Sequence, residues 1–354
     1  MPGAMSTPGP VVTTPIFDGH NDALTREDHA GLVLGRAGGH LDLPRMRTAG
    51  LRGGIFSVFT PSPGESPGRL ERDGAVLEFA RLDAVSHEVA AAHATEVAGR
   101  LLGLERDGRV VVARTSADLD RAELGAGPPV AVLHLEGAEA VDPRLGGLEA
   151  WYAMGLRSLG PVWSRSNAFA HGVPFIDHCT PDVGPGLTEA GQALVARCAE
   201  LGVLVDLSHL NAAGFWDVAA MECGPLVASH SGVHALAATS RNLTDDQLDA
   251  IAASGGLVGI VFACRFLRSD LADDSDTPLQ TIVAHARYVA DRLGVEHVAL
   301  GSDFDGATVP AALGDVAGLP ALLTALAADG FTAPEIEAIA WGNWRRVLAA
   351  WWRD

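Results

Sequence analysis

Gly256-Leu257-Val258-Gly259-Ile260-Val261-Phe262 is apolar without a break, and Gly202-Val203-Leu204-Val205-Asp206 is apolar up to its last residue. A strand with one wet face alternates polar and apolar side chains. Uninterrupted runs suit strands covered on both faces, as in a parallel sheet wrapped by helices. Outward from these two, eight such runs can be read, near 15–19, 53–60, 130–136, 157–163, 203–208, 225–229, 256–262 and 297–302. Helical patterns lie between them, near 187–200, 212–221, 244–253, 278–293, 317–328 and 333–351. The longest is Ala-rich and is read from about Arg72 to Arg106. Thr188 before Glu189 and Thr244-Asp245-Asp246 read as helix starts, and Gly202 and Gly294 as helix stops. Strands alternating with helices predict an α/β protein with a parallel sheet, and eight repeats predict a closed (β/α)8 TIM barrel.

The bulk composition agrees. The chain has 354 residues, 48% of them hydrophobic and 19% charged, which is enough apolar matter for one large core. A single catalytic barrel is expected over 15–354, after a flexible segment 1–14. The formal net charge is −19, and no dense basic run offsets it, which excludes nucleic acid and anionic membrane as partners. The Pro-rich start lacks the basic and apolar parts of a signal peptide. No apolar run reaches the roughly 18 residues of a membrane helix, and Trp351-Trp352-Arg353-Asp354 carries no lipid-anchor signal. The four cysteines include no Cys-x-x-Cys pair, so buried thiols in a reducing, cytoplasmic setting are expected.

Function is written at the strand ends. Five of them read Phe17-Asp18-Gly19-His20-Asn21-Asp22, Leu135-Glu136-Gly137, Asp206-Leu207-Ser208-His209, Ala228-Ser229-His230-Ser231 and Gly301-Ser302-Asp303-Phe304-Asp305. A (β/α)8 barrel builds its active site at the C-terminal ends of its strands. His20 and Asp22 flank Asn21, so on an extended backbone both point the same way. Imidazoles and carboxylates together suit zinc or a similar divalent ion. Three carboxylates carry about −3, which two divalent ions and one hydroxide bring close to neutral. The count therefore favours two metals, with Glu136 as the bridging carboxylate. Such a pair acidifies a bridging water and polarises a scissile carbonyl, and a nearby carboxylate, here Asp303, moves the proton. Asp305, beside Gly306, reads as a turn-shaping residue. His134, two residues before Glu136, points to the same barrel face one layer deeper and reads as structural. The remaining His, at 29, 40, 87, 93, 178, 234, 285 and 297, are expected in solvent.

With these motifs in view, the chain resembles the membrane-dipeptidase (renal dipeptidase) family of zinc metallopeptidases, within the amidohydrolase-like barrels. The resemblance runs from Asp18-Gly19-His20-Asn21-Asp22 to Trp341-Gly342-Asn343-Trp344. It passes through Gly186-Leu187-Thr188-Glu189, Val205-Asp206-Leu207-Ser208-His209, Ser240-Arg241-Asn242 and Gly301-Ser302-Asp303-Phe304-Asp305-Gly306. It implies that His20, Asp22 and Glu136 hold one zinc, and that Glu136, His209 and His230 hold the second. It implies Asp303 as the catalytic carboxylate and Arg241 as the guanidinium that grips the substrate's free carboxylate, a pairing its fork geometry suits. Where many relatives place a substrate-polarising His after strand four, this chain has Trp163, which can wall or stack on a substrate; His171 in the following loop is the alternative. The usual Glu-Gly-Gly-His is here Glu136-Gly137-Ala138-Glu139.

The expected activity is zinc-dependent hydrolysis of dipeptides, with a C-terminal D-residue accepted. The alternative on the same ligands is an N-acyl-amino-acid amidase or a lactone or ester hydrolase. A non-catalytic barrel would have lost ligands, and none is missing. The loops 164–186 and 264–277 are expected to close the pocket. Trp341, Trp344, Trp351 and Trp352 either pack on the barrel itself or contribute to a homodimer.

Overall fold

The computed structural model describes residues 14–72 and 74–353. The expected N-terminal segment 1–14 thus lies almost wholly outside the described residues. Eight parallel strands carry the architecture: β1 (Ile16–Asn21), β2 (Leu51–Phe59), β3 (Val130–Glu136), β4 (Leu156–Gly160), β5 (Leu204–Val205), β6 (Val227–Ser231), β7 (Leu257–Ile260) and β8 (Val298–Leu300). All eight fall where the apolar runs place them.

The strands form two arcs. β1 through β5 pair in sequence order, and β6 through β8 form the second arc. Two single-residue parallel bridges, Asn21 with Phe304 and Asp206 with Val227, close the arcs into a ring of eight. At the first seam the Asp22 amide donates to the Phe304 carbonyl (2.8 Å) and the Asp303 amide to the His20 carbonyl (3.0 Å). The strands are buried along almost their whole length, and this is why their sequences read as unbroken apolar runs.

The helix signals hold. Thr188 accepts from the Gly191 amide, Thr244 forms a capping box with Gln247, and Gly202 turns the chain at φ 76. The C-terminal elements Ala338–Gly342 and Asn343–Trp351, with Trp352 just beyond them, lay tryptophans on the barrel: Trp341, Trp344, Trp351 and Trp352 are all buried. Those rings are therefore taken up by the chain's own core.

One region differs from expectation. The long helix does not begin near Arg72. Glu65–Arg72 and Ala75–Leu82 form an antiparallel hairpin, and the helix spans only His87–Arg106, capped by Ser86. Leu70, Leu77 and Phe79 pack against Val173, Ile176, Cys179 and Val183 of the loop after β4. That distant partner overrides the helix propensity of the Ala, Leu and Glu residues here. His285 and His297 also depart from the solvent expected for them. Both are buried, and His285 is bonded at both ring nitrogens, to the Val233 amide and the Leu267 carbonyl.

Among the described residues no helix is long and apolar enough to cross a membrane.

Candidate metal centre

β1 delivers His20 and Asp22 to the mouth of the barrel, and β3 delivers Glu136 beside them. The His20 imidazole Nε2 lies 3.7 Å from Asp22 Oδ2 and 3.5 Å from Glu136 Oε2. The other Glu136 oxygen, Oε1, faces a different pair: His209 Nε2 at 3.1 Å and His230 Nε2 at 3.5 Å. These two imidazole nitrogens are 3.0 Å apart. One carboxylate thus stands between two sets of donors. Ser57, facing inward from β2, donates to Glu136 Oε2 (3.1 Å) and orients it.

The donor set fits divalent metal. Two atoms bound to one tetrahedral zinc at roughly 2.0–2.2 Å lie about 3.4 Å apart, close to the separations found here. His20 Nδ1, His20 Nε2 and Asp22 Oδ1 are buried without a hydrogen-bond partner, a costly arrangement for atoms with no ligand. His20, Asp22 and Asp303 also converge, each offering an atom within 4.8 Å of the others.

The electrostatics agree with the geometry. Burial holds His209 down at about 4, helped by the Arg241 charge, and pushes His230 well below its ordinary value, so both rings are neutral, as ligands must be. Burial alone would lower His20 too, but Glu136 and Asp22 raise it well above its ordinary value. This corner of the site therefore favours positive charge. Burial, with Asp22 and Glu136 alongside, pushes the Asp303 carboxyl up to about 8 against the pull of His20 and Arg241. Backbone strain marks the same place, since His209 and Asp303 hold left-handed conformations at φ 66 and 60.

The mouth opens into a cleft of about 450 Å³ lined by Asp22, Glu136, His209 and Asp303 together with Phe59, Trp163, Phe175, Arg265, Phe266 and Asp273. Both expected loops reach it, through Phe175 and through Arg265, Phe266 and Asp273. Asp177 and Arg265 join them by a two-oxygen ion pair (3.2 Å).

Trp163 stands in the cleft wall between Phe59 (4.7 Å) and Phe175 (5.8 Å). Behind it, Arg165 covers the Trp163 and Phe59 rings and pairs with buried Glu139 at 2.8 Å. The departure at Glu139 thus has a partner, and together they brace the tryptophan. His171 is not in this cleft. It bonds Ser166 and lines a neighbouring cavity under the hairpin.

Arg241 is buried beside the centre. Its Nη1 donates to Ser231 Oγ (2.8 Å) and its Nη2 to the His230 carbonyl (2.7 Å), with Nε left unpartnered and Phe266 5.7 Å away. Asp305 is bound to Arg36 and to the His40 amide, and fastens the turn after β8 to the segment after β1. His134 lies beneath His20, bonded to Ser158 (2.9 Å), as a structural residue would be.

Sequence reasoning missed Ser57, Arg265 and Phe175. Ser57 was findable, because alternation along β2 turns it inward. The other two sit in loops whose place over the cleft was expected but whose side-chain directions no periodicity sets.

Comparison with known proteins agrees with this architecture. The family model described as membrane dipeptidase (peptidase family M19) matches residues 11–351. An uncharacterised Klebsiella pneumoniae protein encoded 5′ of pqqA is 47% identical, over 70% of this chain and 91% of its own length. The structure of dipeptidase AC, a family M19 metallopeptidase, superposes with a TM-score of 0.89 at 43% identity, over 96% of this chain and 99% of that one. A Rhodobacter sphaeroides metallopeptidase, solved with a phosphinate mimic of the dipeptide L-Ala-D-Ala, does so with a TM-score of 0.89 at 42% identity, over 96% and 100%.

Proposed function

This chain belongs to the membrane dipeptidase family, peptidase family M19, and from that premise we propose that two zinc ions serve its catalysis, one held by His20, Asp22 and Glu136, the other by Glu136, His209 and His230. It is a metal-dependent dipeptidase, a hydrolase of the peptide bond in dipeptides. The observation that carries the two-ion reading is the Glu136 carboxylate, with Oε2 toward His20 and Oε1 toward His209 and His230.

Divalent ions bound there would lower the pKa of a water and polarise the scissile carbonyl. The rest is done by side chains. Asp303, at the cleft wall beside Asp22, accepts a proton from the attacking water on a carboxylate oxygen and passes it to the leaving amine nitrogen. Arg241 pairs with the substrate's C-terminal carboxylate, for which its unpartnered Nε remains available. Trp163, braced by Arg165 and Glu139, forms a rigid wall for the substrate side chain. The ligand of the Rhodobacter relative supports acceptance of a D-residue at the C-terminal position. The described residues form no disulfide, which supports a cytoplasmic enzyme, and the ring of eight strands supports one catalytic domain over 15–354.

The test is metal analysis with turnover. Zinc-loaded protein should hold two ions per chain and hydrolyse L-Ala-D-Ala. His209→Ala should lose one ion and the activity. Full activity in that variant would remove the proposed second site. A dipeptide and its C-terminal amide should differ sharply in KM, and equal turnover would remove the role given to Arg241.

A further inference from the structure

Asp206 and Ser229 take no part in the reaction described above, yet they are buried together directly behind the metal ligands. Asp206 Oδ1 accepts from the amides of Ser208 (3.1 Å) and Ser229 (2.8 Å), and Oδ2 accepts from the Ser229 hydroxyl (2.5 Å). Ser229 Oγ also lies 2.8 Å from His230 Nδ1 and 3.3 Å from Ser208 Oγ. The Ser208 oxygen in turn accepts from the His230 amide (3.1 Å).

A hydroxyl has one proton to give. The carboxylate of Asp206, already fixed by two amide donors, takes it in a charge-assisted bond. Ser229 Oγ is then an acceptor toward its other neighbours. The proton between Ser229 and His230 must therefore sit on Nδ1, leaving Nε2 with its lone pair. Nε2 is the atom that faces Glu136 Oε1 and His209 Nε2.

We propose that Asp206 and Ser229 are positioning residues of the metal centre, a carboxylate–hydroxyl–imidazole relay that fixes His230 in the tautomer able to bind metal through Nε2. The inference rests on the reading of His230 as a ligand. It also gives Asp206→Asn a specific defect. An Asn carbonyl can keep both amide bonds, but its NH2 then donates to Ser229 Oγ. The hydroxyl turns to His230 Nδ1, and the imidazole proton moves to Nε2, where it blocks coordination.

The experiment combines nitrogen NMR of histidine-labelled protein with zinc affinity measured against a chromophoric chelator. Metal-free wild type should show His230 protonated at Nδ1, Ser229→Ala a mixture of tautomers, and Asp206→Asn protonation at Nε2. Zinc affinity should fall by about 10–100-fold in Asp206→Asn, the range typical of lost outer-shell partners, and by less in Ser229→Ala. A merely structural role predicts no tautomer change, with the near-isosteric Asn the milder variant. Wild-type tautomer and affinity in Asp206→Asn would overturn the relay. Should that variant not fold, an unchanged tautomer in Ser229→Ala would overturn it equally. His230→Ala separates the two readings: if it binds zinc like wild type, the ligand assignment fails; if it loses metal while Asp206→Asn does not, only the relay fails.

Discussion

At the mouth of the barrel, His209, Asp303 and Asp305 hold left-handed backbones, and three buried polar atoms of His20 and Asp22 go without hydrogen bonds. Along the C-terminal helix the chain does the opposite. Trp344, Trp351 and Trp352 are buried, and each indole N–H donates to a carbonyl, of Leu300, Pro225 and Arg157. Phe17 meets the Trp341 ring edge-on at 5.6 Å and lies 5.7 Å from Trp344. One region is strained, polar and under-satisfied; the other is apolar, and of its four indole N–H groups only that of Trp341 lacks a partner. The contrast shows how a site that is poor for folding can be kept: well-packed aromatic area elsewhere offsets it.

Mutations should separate the two regions. The largest effect is expected for Glu136→Gln, which removes the carboxylate shared by both donor sets. Activity on a dipeptide should drop by about 10⁴-fold, about 5 kcal/mol in the barrier. Metal-free stability in a urea titration should fall as well, because the buried pairing with His20 that, against the effect of burial, holds the Glu136 carboxyl well below its ordinary range is lost. Trp344→Ala should instead lose stability alone, about 3–5 kcal/mol of folding free energy, with zinc affinity unchanged in the folded protein. If it weakened zinc binding as much as stability, the regions would not be independent.

Chelation comes next. The proposed ligands come from both arcs, so metal should stabilise the fold by about 2.7 kcal/mol at a free concentration 100 times Kd. Calorimetry with and without a chelator reads this, and an identical Tm would show that the mouth contributes nothing to closure.

The last effect, smallest per pH unit, concerns a buried histidine outside both regions. Burial lowers His285 to about 4, whereas the unfolded side chain titrates near 6.5. The unfolded state therefore binds the extra proton between those values. Stability should be complete above about pH 6.5 and decline toward pH 4, by at most about 1.4 kcal/mol per pH unit. His285→Gln, compared with wild type in chelator, should flatten that slope. Parallel curves would show that His285 is not the titrating group.

Most of this was readable from the chain, for a definite reason. A strand buried on both faces leaves an unbroken apolar signature, and a candidate ligand at its end is a polar residue where the signature stops. His20, Glu136, His209 and His230 all have that form. The hairpin had no such signature. Its inward residues Leu77 and Phe79 alternate with exposed Val76, Glu78 and Ala80, but over too short a stretch to outweigh the helical composition that follows. Asp73-Gly74 was the overlooked cue, since Asp-Gly favours two-residue hairpin loops. His285 was unreadable for a different cause: its burial depends on the Val233 amide and Leu267 carbonyl, brought near only by tertiary packing.

The two single-residue seams divide the chemistry as well as the sheet. A cut in the turn after Ala220 would leave His20, Asp22, Glu136 and His209 on one fragment and His230 and Asp303 on the other. Neither piece could build the centre alone. On the proposed ligand set, co-expressed halves should reassemble more completely with zinc than with a chelator.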